Sequence, residues 1–258
     1  MKTVALIAVL FCSFASFGQD IVIDKRTGVK IIFTADGRIF PESWYSKRIN
    51  AKGISIESNE YARSEKIIKD VLQHYPVKLV KSNLKNIYVL SHINFFGQSF
   101  GGTNSNSNIY LTNRGIVNGY TALYIEQLFH AEFSSILLRN HKHSFNESEW
   151  KKINPINFNY GNSGVDALKQ NKDSQKFDKE LNNLGFIYEY ATSTIENDFN
   201  AFAKNLFSPK NGFYNLVETY DNIKNKRMLI IDFYNKLDAS LTEEYFNKIL
   251  YTTKYKKH

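Results

Sequence analysis

One segment near the middle of the chain carries several side chains that could do chemistry. Within ten residues it holds two carboxylates, one imidazole and two hydroxyls: Glu126, His130, Glu132, Ser134 and Ser135. Glu126 and His130 are four residues apart and would share one face of a helix, as two metal ligands can. His130 and Ser134 have the same spacing, which would also suit a base beside a nucleophile. Glu132 is a candidate general base, and a hydrogen-bonded core histidine is the alternative for His130.

The residues around these groups predict a buried helix. Residues 121–138 place apolar side chains around much of the helix circumference: Leu123, Leu128, Phe129, Phe133, Ile136 and Leu137. Such a helix is expected to lie deep in the fold. Because polar groups on a buried helix need partners, a carboxylate such as Glu132 at this place indicates a site.

The remaining segments predict both strands and helices. Runs of β-branched and apolar residues predict strands at residues 21–24, 29–33, 86–90 and 108–112. Apolar spacing predicts helices at residues 64–75, 196–206, 212–237 and 241–251, the third with a break and the first with Ser64 as its N-cap. Residues 97–108 and 140–183 are polar and are predicted to be irregular.

Composition bounds the class of protein. The chain has 258 residues, of which 43% are hydrophobic and 22% charged, and this is typical of a globular protein rather than a disordered one. Its single cysteine excludes an intramolecular disulfide and a cysteine-based zinc site. The net charge of +8 is dispersed along the chain, and no nucleic-acid-binding motif accompanies it. We therefore expect no nucleic-acid partner.

The first residues have the pattern of a secretory signal peptide. Lys2 precedes an uncharged run over residues 4–14, and small residues follow up to Gly18. We expect cleavage after Gly18 and export to the periplasm, the cell surface or the medium. A buried N-terminal helix is the alternative. A lipid anchor on Cys12 is disfavoured because Phe11 is bulky where lipoprotein signals have a small residue. No later run is long and apolar enough for a membrane span.

The central helix carries a family resemblance. Residues 129–137 read Phe-His-Ala-Glu-Phe-Ser-Ser-Ile-Leu. This resembles the active-site helix of the zinc-binding metallopeptidase (zincin-like) family of exported bacterial proteins. There, the two histidines of His-Glu-x-x-His bind zinc and the glutamate is the general base. Glu132 matches that glutamate. A Gly-rich segment over residues 97–111 precedes the helix, and a Tyr-Ala segment at Tyr190 leads to Asp198-Phe199, in the family's order. The resemblance covers about residues 60–210.

The motif is degenerate, because this chain replaces every zinc ligand that the resemblance implies. The three positions hold residues that are not ordinary zinc ligands: Ala131, Ser135 and Asn197. His130 and Glu196 each stand one residue before a ligand position. Catalytic zinc needs three protein ligands and an open position, so an ordinary zinc site is not expected. A shifted site built from His130, Glu126 and Glu196 is the metal hypothesis that stays open, with zinc as its ion.

The resemblance also implies a fold and a role for a tyrosine. The expected fold is α+β and zincin-like: a small sheet packed on an active-site helix, with a mostly helical C-terminal part. Residues 19–258 would form a single metallopeptidase-like domain. Tyr190 would correspond to a tyrosine that assists the oxyanion, and its alternative is an aromatic core residue.

Several functions stay open on this fold. One is an exported metallopeptidase-like protein with a degenerate zinc site, in which Glu132, His130 and Tyr190 act on a peptide or protein substrate. Another is a non-catalytic periplasmic binding or scaffolding protein, a pseudoenzyme that kept the cleft. A third, argued from abundant aromatic residues and asparagine-rich loops, is a binding module for a glycan or peptide. Whether the chain is an enzyme is left open at this point.

Overall fold

The computed structural model describes residues 20–255. The predicted signal peptide, residues 1–18, lies outside the described residues. The strands are β1 (Ile21–Ile23), β2 (Lys30–Ile32), β3 (Lys52–Ser55), β4 (Asn86–Phe95), β5 (Gln98–Ser99), β6 (Gly102–Asn104) and β7 (Asn108–Thr112). The helices are α1 (Tyr61–Leu72), α2 (Val77–Asn83), α3 (Ala122–Asn140), α4 (Glu147–Ile153), α5 (Gly164–Lys169), α6 (Lys179–Asn183), α7 (Ile195–Phe207), α8 (Phe213–Thr219), α9 (Asp221–Leu237) and α10 (Glu243–Tyr255). No helix in this described part is long and apolar enough to cross a membrane.

The strands form one small mixed sheet with the order β1-β2-β4-β7-β6. β4 is its long central strand and pairs in parallel with β2 and β7. β3 and β5 pair antiparallel with the far half of β4. β6 pairs antiparallel with β7 and stands at the end of the strand order, beside α3. The observed fold is therefore mixed α/β, a small sheet followed by a mostly helical C-terminal part.

The alternation of side chains along the strands divides the core between two faces. Ile87, Ile109 and Leu111 lie in the main core with the helices, whereas Leu90 and Tyr110 lie in a smaller aromatic cluster on the other face. Successive side chains of a strand point to opposite faces, so one strand supplies both clusters. The helical face is the larger one, and the central helix packs there.

Helices α3 and α7 pack against each other, and this pair positions the site. Each begins with a threonine whose hydroxyl accepts a hydrogen bond from a main-chain N–H of the first turn. Thr121 accepts from Tyr124 at 3.2 Å, and Thr194 accepts from Asn197 at 3.0 Å. Such caps satisfy a main-chain donor that the helix leaves free. The predictions of a helix at residues 121–138 and at residues 196–206 are confirmed to within two residues at each end.

The predicted loop over residues 97–108 is wrong, because it contains strands β5 and β6. The chain turns back after β4 through Phe96 and Gly97, both with positive φ, as in a type I′ hairpin turn. Main-chain hydrogen bonds then hold the two short strands in the sheet. Such pairing needs no β-branched side chains. The strands were therefore not predicted from a segment rich in glycine, serine and asparagine.

The prediction of an irregular segment at residues 140–183 is also wrong. Three short helices, α4, α5 and α6, lie in it. Each begins with a side chain that accepts a main-chain hydrogen bond: Asn146, Ser163 and Asp178. These caps were visible in the sequence, but helices of one or two turns have too little apolar periodicity to be recognised.

Two further details concern helix ends. Ser64 is not the N-cap of α1, which begins at Tyr61; its buried hydroxyl accepts a hydrogen bond from the Asn113 amide at 2.9 Å. The predicted break within residues 212–237 is confirmed, because the chain leaves the helical conformation at Tyr220 between α8 and α9.

Candidate functional site

A cleft of about 580 Å³ lies between the β5–β6 edge of the sheet and the helices α3 and α7. We call it the cleft throughout. The side chains and glycines on which the argument depends are Gly102, Ala131, Glu132, Tyr190, Asn197 and Lys204. The helix that the sequence singled out therefore forms one wall of this cleft.

Glu132 occupies the part of the cleft wall that faces strand β6. Its Oε2 accepts a hydrogen bond of 2.7 Å from the side-chain amide of Asn104. A Cβ atom placed on Gly102 would come within 2.8 Å of the Glu132 Oε1, so a glycine at this position leaves room for the carboxylate. Burial raises the pKa of Glu132 to about 7, against the lowering effect of the Asn104 hydrogen bond. A carboxyl group with this pKa exchanges protons near neutrality and suits a general base or a hydrogen-bonding group.

The positions at which the resemblance places zinc ligands converge on this region. Ala131 and Asn197 line the cleft beside Glu132. Ser135 instead accepts a hydrogen bond of 2.8 Å from the Asn200 amide, whose oxygen accepts one of 2.5 Å from Ser134. The three replaced positions thus carry a methyl group, a hydroxyl and one amide, and two of the three, Ala131 and Asn197, line the cleft.

His130, predicted from the sequence as a ligand or catalytic base, does not line the cleft. Its side chain is fully buried, with Nδ1 2.8 Å from the Tyr75 hydroxyl and the ring stacked on Phe207 at 4.9 Å. Burial lowers the pKa of His130 well below its usual value, so the ring is neutral. A helix turns by about 100° per residue, and this rotation separates His130 from Ala131 and Glu132. The core-histidine alternative describes its surroundings.

Glu126 and Glu196 do not join His130 in a metal site. Glu126 accepts a hydrogen bond of 3.0 Å from the Ser208 hydroxyl, and it does not line the cleft. Glu196 lies close enough to Glu132 to raise the pKa of that carboxyl. Across the described residues, no group of three His, Cys, Asp or Glu side chains is arranged to hold a metal ion.

The serine and the histidines that could have formed a catalytic or metal-binding pair make hydrogen bonds with other residues instead. Ser134 donates to Asn200 while His130 bonds to Tyr75, so these two side chains do not form a nucleophile and base. Further along the chain, His141 has its Nε2 3.1 Å from the Asn83 side-chain oxygen, and His143 is exposed.

Tyr190 is half-buried in the cleft wall rather than enclosed in the core. A Cβ atom on Gly164 would meet the Tyr190 hydroxyl at 2.5 Å. Burial, and then the nearby Glu132 carboxylate, raise the pKa of Tyr190 to about 12. Tyr190 therefore keeps its proton and can donate a hydrogen bond to a ligand in the cleft.

Sequence reasoning missed the lysines of the cleft, of which Lys204 is the most buried. Burial, and then the nearby Lys210, lower the pKa of Lys204 to about 7. A signal was available: Asn197, Asn200, Ala201 and Lys204 recur at helical spacing on α7 and all line the cleft.

A buried ion pair behind the cleft was also missed. Asp198 and Lys226 are both fully enclosed, with 2.7 Å between Oδ2 and Nζ. The same oxygen accepts hydrogen bonds from the Trp150 indole at 2.9 Å and the Tyr160 hydroxyl at 2.6 Å. Asp198, an anchor of the resemblance, is thus a core residue that joins α7 to α9 and α4.

Comparison with known proteins adds a distant likeness of structure. No family model matches the chain, and no curated protein matches it either. Among solved structures, the chain is similar to a “putative zinc-binding metallo-peptidase” from Bacteroides caccae. The two share 15% sequence identity, with 72% of this chain and 75% of the other covered and a TM-score of 0.47.

The donors of the cleft do not fit a catalytic zinc ion. The carboxylates among the described residues that line it are Glu132 and Asp173, and no histidine or cysteine joins them. Two lysines line the same cleft. Zinc in enzymes is held by three histidine, cysteine or carboxylate ligands, so this set is one ligand short and carries opposing positive charge.

Proposed function

We propose that this chain is an exported binding protein that holds a peptide in its cleft on a zincin-like fold. The observation that carries the proposal is the pairing of Glu132 with the edge strand β6, while Ala131 and Asn197 stand where metal ligands would be needed. The described residues that line the cleft include two carboxylates, Glu132 and Asp173, and no histidine or cysteine that would complete a donor set for zinc. The protein would then bind peptides without hydrolysing them.

The hydrogen-bonding pattern of strand β6 favours a ligand peptide in extended conformation. The main-chain oxygen of Gly101 accepts a hydrogen bond from β7 at 2.7 Å, the main-chain N–H of Ser105 donates one to β7 at 2.9 Å, and Thr103 pairs with Tyr110 between them. Partners in an antiparallel ladder alternate along the strand, so the main-chain groups of Gly102 and Asn104 point away from β7. An extended peptide can add to such an edge, and pockets beside it then select side chains.

The experiment is selection from a defined mixture of peptides. The chain from residue 19 onward is immobilised, exposed to N-acetylated random hexapeptides, washed and eluted, and the retained peptides are identified by mass spectrometry. The cleft is blocked with Ala131→Phe, and the matched control is Ala122→Phe on the exposed first turn of the same helix. We expect enrichment with the wild type and with Ala122→Phe, and loss with Ala131→Phe. Equal retention by folded wild type and Ala131→Phe would contradict the proposal.

A second candidate is a peptidase in which Glu132 is the general base, and its pKa of about 7 in the cleft favours this. The same peptides, incubated in solution with and without added zinc, test it by the appearance of fragments that have gained water. Cleavage by the wild type that disappears in Glu132→Gln would replace binding by catalysis. Intact peptides in every sample would leave binding as the function.

A further inference from the structure

Two lysines flank one aromatic ring at the end of the cleft. The Nζ of Lys204 lies 4.7 Å from the centre of the Tyr188 ring, and the Nζ of Lys210 lies 5.0 Å from it. Both lysines and the tyrosine line the cleft. A cation over an aromatic face is attracted by the ring, so Tyr188 holds both ammonium groups near one place.

Neither ammonium has an anionic partner among the described residues. The Lys204 Nζ donates to the side-chain oxygen of Gln175 at 2.5 Å, and the Lys210 Nζ donates to the main-chain oxygen of the same residue at 3.2 Å. No described carboxylate lies within 4.0 Å of either nitrogen. Lys204 is only 8% exposed, and Glu132, which acts on it electrostatically, forms no ion pair with it; a buried charge without a paired carboxylate is costly.

A polar network behind the ring fixes the arrangement. The buried amide of Asn205 donates to the Tyr188 hydroxyl at 2.6 Å. Its oxygen accepts from the main-chain N–H of Lys210 at 3.1 Å and from the Gln127 amide at 3.4 Å. Tyr188 and the start of the Lys210 side chain are therefore held before any ligand arrives, which lowers the entropic cost of binding.

We propose that Lys204 and Lys210 form a subsite that binds a carboxylate of the ligand. The inference deepens the proposed function and rests on it, since it assigns one end of the peptide cleft. The carboxylate is either the free C-terminus of a peptide or the side chain of an aspartate or glutamate. Two ammonium groups on one carboxylate form charge-assisted hydrogen bonds, which are about twice as strong as neutral ones.

The test compares matched peptide mixtures on the same immobilised protein at about pH 6, which is below the pKa of about 7 of Lys204. One arm compares hexapeptides that end in a free acid with the same peptides as C-terminal amides. The other compares amide-capped peptides that contain glutamate with counterparts that contain glutamine. Lys204→Met/Lys210→Met removes the subsite, and Lys78→Met/Lys81→Met removes two exposed lysines of α2 as the control for net charge.

We expect the wild type and the α2 control to prefer the charged peptide by about tenfold in one of the two arms, and that arm identifies the source of the carboxylate. Lys204→Met/Lys210→Met should lose the preference and still retain the uncharged peptides. Absence of a preference in both arms, or its persistence in Lys204→Met/Lys210→Met, would overturn the inference and leave the proposed function standing.

A second measurement separates the subsite from peptide binding as a whole. N-acetylalanine is titrated against the protein, and the lysine ε-methylene signals are followed by NMR after assignment with the single variants. Shifts of the Lys204 and Lys210 signals that do not occur with N-acetylalanine amide would support the subsite even if no hexapeptide is retained. Unchanged signals would overturn it.

Discussion

Replacing Glu132 by glutamine should make the stability of the protein less dependent on pH. The pKa of Glu132 is raised in the folded chain from 4.5 to about 7. The folded state therefore binds a proton that the unfolded state has released between these two values, and stability falls as the pH rises through this window. Glutamine is neutral throughout and has no such loss.

The size of the effect follows from the shift. A difference of about 2.5 pKa units corresponds to about 3 kcal/mol. Glu132 is half-buried and opens on the water of the cleft, which screens part of the interaction, so we expect about 2 kcal/mol. The free energy of unfolding of Glu132→Gln minus that of the wild type should therefore grow by about 2 kcal/mol from about pH 4 to about pH 8.

Urea denaturation at a series of pH values provides the measurement, since groups that titrate alike in both proteins cancel in the difference. Lys204 does not cancel fully, because Glu132 raises its pKa while burial lowers it. The pair is therefore repeated in the Lys204→Met background, where the coupled lysine is absent. A difference that stays constant with pH in both backgrounds, or that shrinks as the pH rises, would refute the reasoning.

Three further predictions concern the surroundings of the cleft. Lys226→Met leaves Asp198 buried without its counter-ion and should lower the free energy of unfolding by about 3–5 kcal/mol, measured with urea. The double variant Asp198→Asn/Lys226→Met should recover most of this loss. A Lys226→Met protein as stable as the wild type would contradict the prediction. Asn104→Ala removes a hydrogen bond that lowers the pKa of Glu132, so that pKa should rise in a carboxyl NMR titration; an unchanged or lower value would count against the assignment. Gly102→Ala brings a methyl group against the Glu132 carboxylate and should lower the free energy of unfolding by about 1–3 kcal/mol. The double variant Gly102→Ala/Glu132→Ala should restore this stability. An equal loss in the single and the double variant would show that the clash lies elsewhere.

The helices α3 and α7, the strand β7 and the first half of β4 could be predicted from local patterns. Apolar residues at helical spacing predicted both helices nearly to their observed ends. Glu132 was identified as a site residue because a carboxylate on a mostly apolar helix must face a partner or a cavity. These features depend on residues within a few turns of one another, and such spacings are visible in the chain itself.

Residue contacts between distant segments decided the rest. His130 turned into the core because Tyr75 and Phe207, far away in sequence, offer it a hydroxyl and a ring to stack on. Lys204 lies in the cleft because the fold brings α7 next to Tyr188 and to the segment around Gln175.

The sequence by itself therefore determined the central helix and the carboxylate Glu132 on it, since both follow from residues close together in the chain. The tertiary structure alone decided which side of α3 faces the cleft, that β6 stands at its edge, and that two lysines share one ring. The physical reason is that rotation about a helix and pairing in a sheet are set by the packing partner, and the partner of each segment here lies tens of residues away.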